Sequence, residues 1–271
     1  MANNKKLIAS LLKLNRKRIY YQGKQELKDL AIKEQIEKLH LIHPSYGHKR
    51  VALALGIGHN SAKRVMAKFG LKPPRRVAKK LWLTKSTTNH HFTNLIRNII
   101  PARPTQVFVS DLTYLKFQGK NIYLATVEDI FTREIIAAKL SDRHDSSLTL
   151  STISEAIRSK ETTPEFFHSD QGSEFMAEIV TKFLEKNMIK ISVSDKASPW
   201  QNGYKESFFG RFKEENGDLN RFETLGELIE EIYCYVFYYN NLRIHTSLKM
   251  PPVLFKRKFL DADNVSRKSG T

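Results

Sequence analysis

Cysteine is almost missing from these 271 residues: Cys234 stands alone. One thiol excludes a disulfide within the chain and any zinc cluster that needs two thiolates, and a reducing cytoplasm follows as the expected compartment. No run of 18 apolar residues occurs, so no membrane span is expected. The opening stretch MANNKKLIASLLKLNRKR holds an apolar run too short and too interrupted for a secretory signal. Internal repeats and low-complexity tracts are absent, so a repeat architecture is not expected. Acidic residues are scarce in one region only. Residues 1–90 carry 21 Lys and Arg against 4 Asp and Glu, an excess of +17, while residues 91–271 carry 24 against 24. The whole positive charge of the chain therefore sits in its first third.

Such asymmetry predicts a nucleic-acid-binding segment joined to a balanced globular domain, because Lys and Arg that neutralise phosphates release counterions whatever the sequence bound. RNA binding of a ribosomal kind, or a merely soluble surface, would give the same charge. The hydrophobic content of 41% is enough for a true core.

Residues 1–40 read as helices, with Ile32, Ile36 and Leu39 at helical spacing. After a break at His43–Gly47 comes a short apolar helix, Val51 to Leu55, a turn at Gly56–Gly58, and a second helix capped by Asn60 or Ser61 and ending at Gly70. Helix, glycine turn, helix is the helix-turn-helix pattern. Its second helix carries Lys63, Arg64 and Lys68 outward, as a recognition helix in the major groove would. A basic surface helix is the plainer alternative. Lys49, Arg50, Arg75 and Arg76 are further candidate DNA contacts. The expected boundaries are a basic helical region at 1–72, a linker at 73–104 marked by prolines at both ends, a catalytic core at 105–258, and a disordered tail at 259–271. His90 and His91 read as exposed linker residues rather than metal ligands.

From residue 105 the period changes. QVFVSDLTYLKF reads as a strand, a turn follows at Gly119-Lys120, and NIYLATVEDIFT and REIIAAKLSD read as a second and third strand, an antiparallel meander. A helix with Leu150, Ile153 and Ile157 on one face comes next, then the short strand PEFFHSD. A helix capped by Ser173 follows, then the strand KISVSD. Two helices close the chain, the last opening on a capping box from Thr224 to Glu227. The fold class expected is α/β: a mixed five-stranded sheet flanked by helices, preceded by a basic all-α region.

Three carboxylates stand in unusual places. Asp111 lies inside the first strand among Val107, Phe108, Val109, Leu112 and Leu115, where an ionised group needs compensation. Asp170 sits where PEFFHSD meets the loop QGSEF, at a strand end of the kind that holds ligands. Glu206 sits early in the helix QNGYKESFFGRFKEE. Singly, Asp170 and Glu206 read as a solvated turn and a surface acid. Together, with 58 residues between the first pair and 35 between the second, they form a set that neighbouring strands and a flanking helix could gather. Clustered carboxylates repel unless cations join them, and Mg²⁺ or Mn²⁺, two per site, suits oxygen donors and phosphodiester chemistry. Lys213 follows Glu206 by two helical turns and so shares its face, where it could meet a DNA phosphate.

The strings SDLTY, HSDQGSEF and SPWQNGYKESFFGRFKEE resemble the three acidic motifs of insertion-sequence transposases with a retroviral-integrase-like core. YYNNLRIHTSLKMPP (238–252) resembles that family's closing motif, and HPSYGHKRVALALG with SAKRVMAKFGLKP resembles the helix-turn-helix that precedes the core in the two-frame elements. The resemblance implies an RNase H-like core with catalytic, metal-holding roles for Asp111, Asp170 and Glu206. It implies metal-dependent cleavage at element ends, then attack of the freed 3′-OH on a second phosphodiester. Arg243 and His245 are expected to steady DNA or the core, a structural hydrogen bond being the alternative for His245. The implied partners are double-stranded DNA (element ends and target), further copies of the chain on that DNA, and an upstream-frame DNA-binding protein or fused form. A DNA-binding regulator with an inert core, and an RNase H-like nuclease that only hydrolyses, are the competing readings.

Overall fold

The structure, a computed structural model, describes residues 11, 13, 24–74, 92–160, 162–194 and 203–269, in residues 203–207 and 266–269 by their backbone alone. The chain divides into two compact units, Met1–Pro73 and Pro74–Thr271.

The first unit contains three described helices, α1 Lys24–Ile42, α2 His48–Leu55 and α3 His59–Lys68. Their apolar faces meet at Ile36, Tyr46, Val51, Ala52, Ala62, Val65 and Met66, all buried. Gly56 ends α2 at φ 62°, a left-handed turn that favours glycine, and its N–H is donated to the Ala52 carbonyl. The expected cap at Asn60 or Ser61 is corrected: Gly58, in extended backbone, is the N-cap, and its carbonyl accepts from Ser61 N at 2.9 Å. The helix therefore opens at His59, and Asn60 and Ser61 lie within it.

The second unit is built on a five-stranded mixed sheet in the order β3-β2-β1-β4-β5, the α/β, RNase H-like architecture expected. Strands β1 (Val107–Phe117), β2 (Lys120–Asp129) and β3 (Ile135–Ser141) form an antiparallel meander, while β4 (Phe166–Ser169) and β5 (Lys190–Val193) run parallel to β1. The first hairpin turns at Gln118 and Gly119, both at positive φ (47° and 77°), one residue earlier than the sequence suggested. Two positive-φ residues match the right-handed strand twist.

Alternation along β1 sends Phe108 and Leu112 to one face and Leu115 and Phe117 to the other. On the first face they pack with Ile153 and Ala156 of α4 (Ser146–Lys160) and with Val180 and Leu184 of α6 (Glu178–Lys186). On the second they meet Phe208, Phe209 and Phe212 of α7 (Gly203–Asn216) and Leu228, Ile232, Tyr235 and Tyr239 of α8 (Leu225–Asn241). The Thr224 hydroxyl accepts from Glu227 N at 3.2 Å, but the Glu227 carboxylate accepts from Glu223 N, one residue before the cap.

Three expectations are corrected here. The helix expected after Asp170 is two, α5 (Ser173–Met176) and α6, divided by Ala177 in extended backbone, and the N-cap is Gly172 rather than Ser173. The tail expected from 259 is helical: α9 spans Pro252–Ser269, opening on a proline whose missing N–H costs nothing at a first helical position, and Phe131 packs on both Phe255 and Phe259. Of the expected linker, residues 75–91, with His90 and His91, lie outside the described residues. The part that follows is packed on the sheet. Val193 N donates to Thr93 O, Leu95 N donates to Ser192 Oγ at 2.9 Å, and Ile96 and Ile99 cover Val107 and Val109.

Candidate active site

Asp111 lies at the middle of β1, half-buried, opposite Thr126 of β2. Its Oδ1 accepts from Leu112 N at 2.8 Å. By alternation it shares a face with Thr113 and Leu115, the face that α7 covers. On the other side of β1, the parallel register with β4 pairs Val107 with Phe166, Phe108 with Phe167 and Val109 with His168. The pairing ends there; carried two residues further, the same offset points Asp111 toward Asp170, which lies just past the end of β4.

Asp170 is open to solvent, and its Oδ1 accepts from Gly172 N at 3.0 Å. Its surroundings are nonetheless crowded enough to push the carboxyl above the usual carboxylate range. The Gly172 N–H works against that shift, Glu174 adds to it by repulsion, and His144 opposes it. Glu174 and His144 were not singled out in the sequence. Glu174 folds over Gly172 so closely that a Cβ there would fall 2.6 Å from Glu174 Oε1, and His144 Nε2 lies 3.2 Å from the same carboxylate. A side chain at 172 would have to displace the Glu174 carboxylate from this position.

His168, on β4 directly before this loop, is buried and held by Ser192 Oγ, 2.9 Å from its Nδ1. Burial lowers its pKa from 6.5 to about 4, so the ring is neutral at physiological pH.

Glu206 lies in the first turn of α7, and its side chain falls outside the described residues. Lys213, two turns on, is described: its Nζ donates to Thr113 Oγ1 at 2.8 Å and sits 5.5 Å from the Tyr114 ring centroid. The expected phosphate ligand is thus engaged by the strand, two residues from Asp111. Among the described residues no group of three or more His, Cys, Asp or Glu is close enough to hold a metal ion. The two described carboxylates nevertheless suit a hard divalent cation. Both supply oxygen, and a cation would offset the desolvation that disfavours Asp170's charge.

Arg243 requires correction as a DNA contact. Its side chain is 2% exposed, and its Nε and Nη2 donate to Glu215 at 3.0 and 2.6 Å. Burial pulls its pKa down, but the hydrogen bond and charge of Glu215 outweigh this and hold it above the ordinary value. Tyr235 adds its hydroxyl to the same carboxylate at 2.9 Å. Nothing in the sequence distinguished Glu215 from its neighbour Glu214. His245 is half-buried and closes a turn, its N–H donated to Met250 O at 3.1 Å.

In the first unit, Arg64 and Lys68 face outward less freely than expected. The buried carboxylate of Asp29, on α1, accepts from Arg64 at 2.5 Å and Lys68 at 3.3 Å, and is covered chiefly by the side chains that bind it. The hydrogen bonds from Arg64 and then Gln25 hold Asp29 far below the carboxylate range. Lys49 and Lys63 are exposed. Burial, then His59, then these two lysines lower the pKa of His48. Arg50 is half-buried over the Tyr46 ring, and Arg75 and Arg76 lie outside the described residues.

Two integrase core domain patterns match the chain, one over residues 101–199 and one over 187–252. A transposase-like protein of Haemophilus influenzae is 31% identical over 207 residues, covering 76% of this chain and 95% of that one. The putative transposase InsK for insertion sequence element IS150 of Escherichia coli is 29% identical over 238 residues, covering 84% and 83%. The HTLV-2 integrase catalytic core domain, solved in complex with magnesium, overlays with a TM-score of 0.43 at 18% identity, covering 57% of this chain and 97% of that one.

Proposed function

The chain belongs to the insertion-sequence transposases with an integrase-like core, enzymes of the polynucleotidyl-transferase type, and on that premise we propose that it cuts and joins DNA through Asp111, Asp170 and Glu206. The observation that carries the reading is the parallel pairing of β1 with β4 up to Val109 and His168, a register that, carried two residues on, would bring Asp111 and Asp170 to one level. A strand interior and a strand end hold two carboxylates with little freedom, which is what positioning demands.

These three acids are the groups that would hold Mg²⁺ or Mn²⁺. Metal held there would supply activation of an attacking oxygen and charge neutralisation at the leaving oxygen of an in-line displacement. Asp111 and Asp170 orient the scissile phosphodiester from the sheet, and Glu206 approaches from α7. Lys213 keeps that helix on β1 through Thr113 and adds positive charge beside the phosphate path. The basic helical region supplies affinity for duplex DNA through phosphate contacts, with Lys49 and Lys63 among its exposed cations. Two element ends must be held together for joining, so the working form is an oligomer on DNA.

The test is strand transfer from a pre-nicked element-end duplex bearing a free 3′-OH, with Mg²⁺ or Mn²⁺. Asp111→Asn and Glu206→Gln should each abolish joined product while affinity for the duplex stays within about twofold. Joining that survives in Asp111→Asn would overturn the assignment. Hydrolysis without joining, by the unaltered chain, would favour the nuclease reading instead.

A further inference from the structure

The segment from Tyr238 to Pro252 takes no part in the chemistry above, yet Arg243 within it is among the largest fully buried side chains. Its guanidinium spans from the end of α8 to Glu215, one residue before the end of α7, through Nε and Nη2, and Tyr235 of α8 bonds the same carboxylate. Lys213, only two residues from Glu215, is held by Thr113 of β1. Two residues on an α-helix are about 200° apart, so the two anchors grip opposite sides of α7.

We propose that Glu215, Arg243 and Tyr235 form a positioning network that seats α7 on the sheet and thereby sets where Glu206 meets Asp111 and Asp170. The inference rests on reading Glu206 as a catalytic carboxylate. A helix gripped on one side only can roll about that contact. Gripped by a strand on one side and by a buried cation on the other, it is fixed in rotation and in height. A helix transmits that placement along its length, and Glu206 lies nine residues from Glu215, about 13 Å at the rise of an α-helix. The buried ion pair suits this task. It contributes little net stability relative to apolar side chains, but it tolerates few geometries, because a charge left unpaired inside the protein is costly. Arg243 also replaces no surface function here, since its donors are turned onto Glu215 inside the protein.

The experiment uses the full chain with Arg243→Gln, Arg243→Lys, Glu215→Gln and Tyr235→Phe, beside the unaltered protein and Glu206→Gln. Three quantities are read: affinity for end DNA by fluorescence anisotropy, single-turnover joining at saturating DNA, and amide hydrogen exchange in α7 and β1. Affinity should stay within about twofold. Joining should fall roughly tenfold to a hundredfold in Arg243→Gln, the scale of a misplacement of about 1 Å, and less in Arg243→Lys. Exchange should quicken in α7 while β1 stays protected. Weaker DNA binding with full joining at saturation would make Arg243 a DNA contact and overturn the proposal, as would full joining by a folded Arg243→Gln. If the charged variants do not fold, Tyr235→Phe decides, because it deletes one hydroxyl without opening a cavity. A severalfold loss of rate at unchanged affinity supports the network, and an unchanged rate with unchanged α7 exchange refutes it. An inert unaltered protein, or an active Glu206→Gln, would overturn the carboxylate reading and is separable from these results.

Discussion

Acidifying the chain from pH 7 to pH 4 should cost it stability through His168. The ring is 1% exposed and accepts its proton only near pH 4, because burial disfavours the charged form. In the unfolded chain the same ring titrates at its ordinary value of 6.5. Between those two values the unfolded state binds a proton that the folded state refuses. Stability is therefore complete above about pH 6.5 and falls as the pH drops toward 4, where the loss levels off. The gap of about 2.5 units corresponds to about 3 kcal/mol at about 1.4 kcal/mol per unit. Raised carboxyls at Asp129 and Asp170 act in the opposite sense at the acid end, so the ring must be isolated by difference. His168→Asn serves, because an amide can replace Nδ1 in the hydrogen bond to Ser192 without titrating. Urea unfolding of both proteins, followed by circular dichroism at steps from pH 8 to pH 4, gives the comparison. Lost ring volume shifts the variant by a constant amount, so the quantity read is the slope. The unaltered chain should lose about 3 kcal/mol relative to the variant across this window. Parallel curves would refute the reasoning and show that the ring is charged when folded or open to water.

Two further outcomes follow from one ion-paired carboxylate in each unit. Arg243→Met alone leaves the buried Glu215 carboxylate without its cation and should cost about 3–5 kcal/mol, whereas Glu215→Met with Arg243→Met should recover most of that loss in urea unfolding. A double variant as unstable as the single would mean the charges are solvated. In the first unit, Asp29→Asn removes the carboxylate that joins α1 to Arg64 and Lys68. Limited proteolysis should then cut α1 faster at low salt, and an unchanged cleavage rate would show that the ion pairs do not hold the helix.

Much of the architecture was legible along the chain because it depends on neighbours in sequence. Alternating β-branched and apolar residues from Val107 to Phe117 mark a strand, and the spacing of Leu228, Ile232 and Val236 marks a helix, whatever else surrounds them. The mixed five-stranded sheet followed from the order of those segments. Asp111 was conspicuous for the same local reason, a charge among apolar neighbours. Less visible were features set by one backbone conformation. Ala177 divides a segment of continuous helical pattern into α5 and α6, and Gly58 takes the cap that Asn60 or Ser61 could have taken. The segment 92–100 looked like linker because it lies between the proline-marked ends at Pro73-Pro74 and Pro101, and the sheet surface that Ile96 and Ile99 cover belongs to strands that come later in the chain.

The cations divide along the same line. The sequence by itself determined that the positive charge is concentrated in the first third and that basic residues recur on a short helix, since both are sums over neighbouring positions. It could not say which of those cations face solvent. Arg64 is held by a carboxylate 35 residues away, and Arg243 by one 28 residues away. Only the tertiary structure decided that the first lies on the surface beside a buried acid and the second lies inside. The reason is that a charge's partner is fixed by proximity in space, and the low dielectric of the interior makes that partner, rather than the residue type, set what the charge can do.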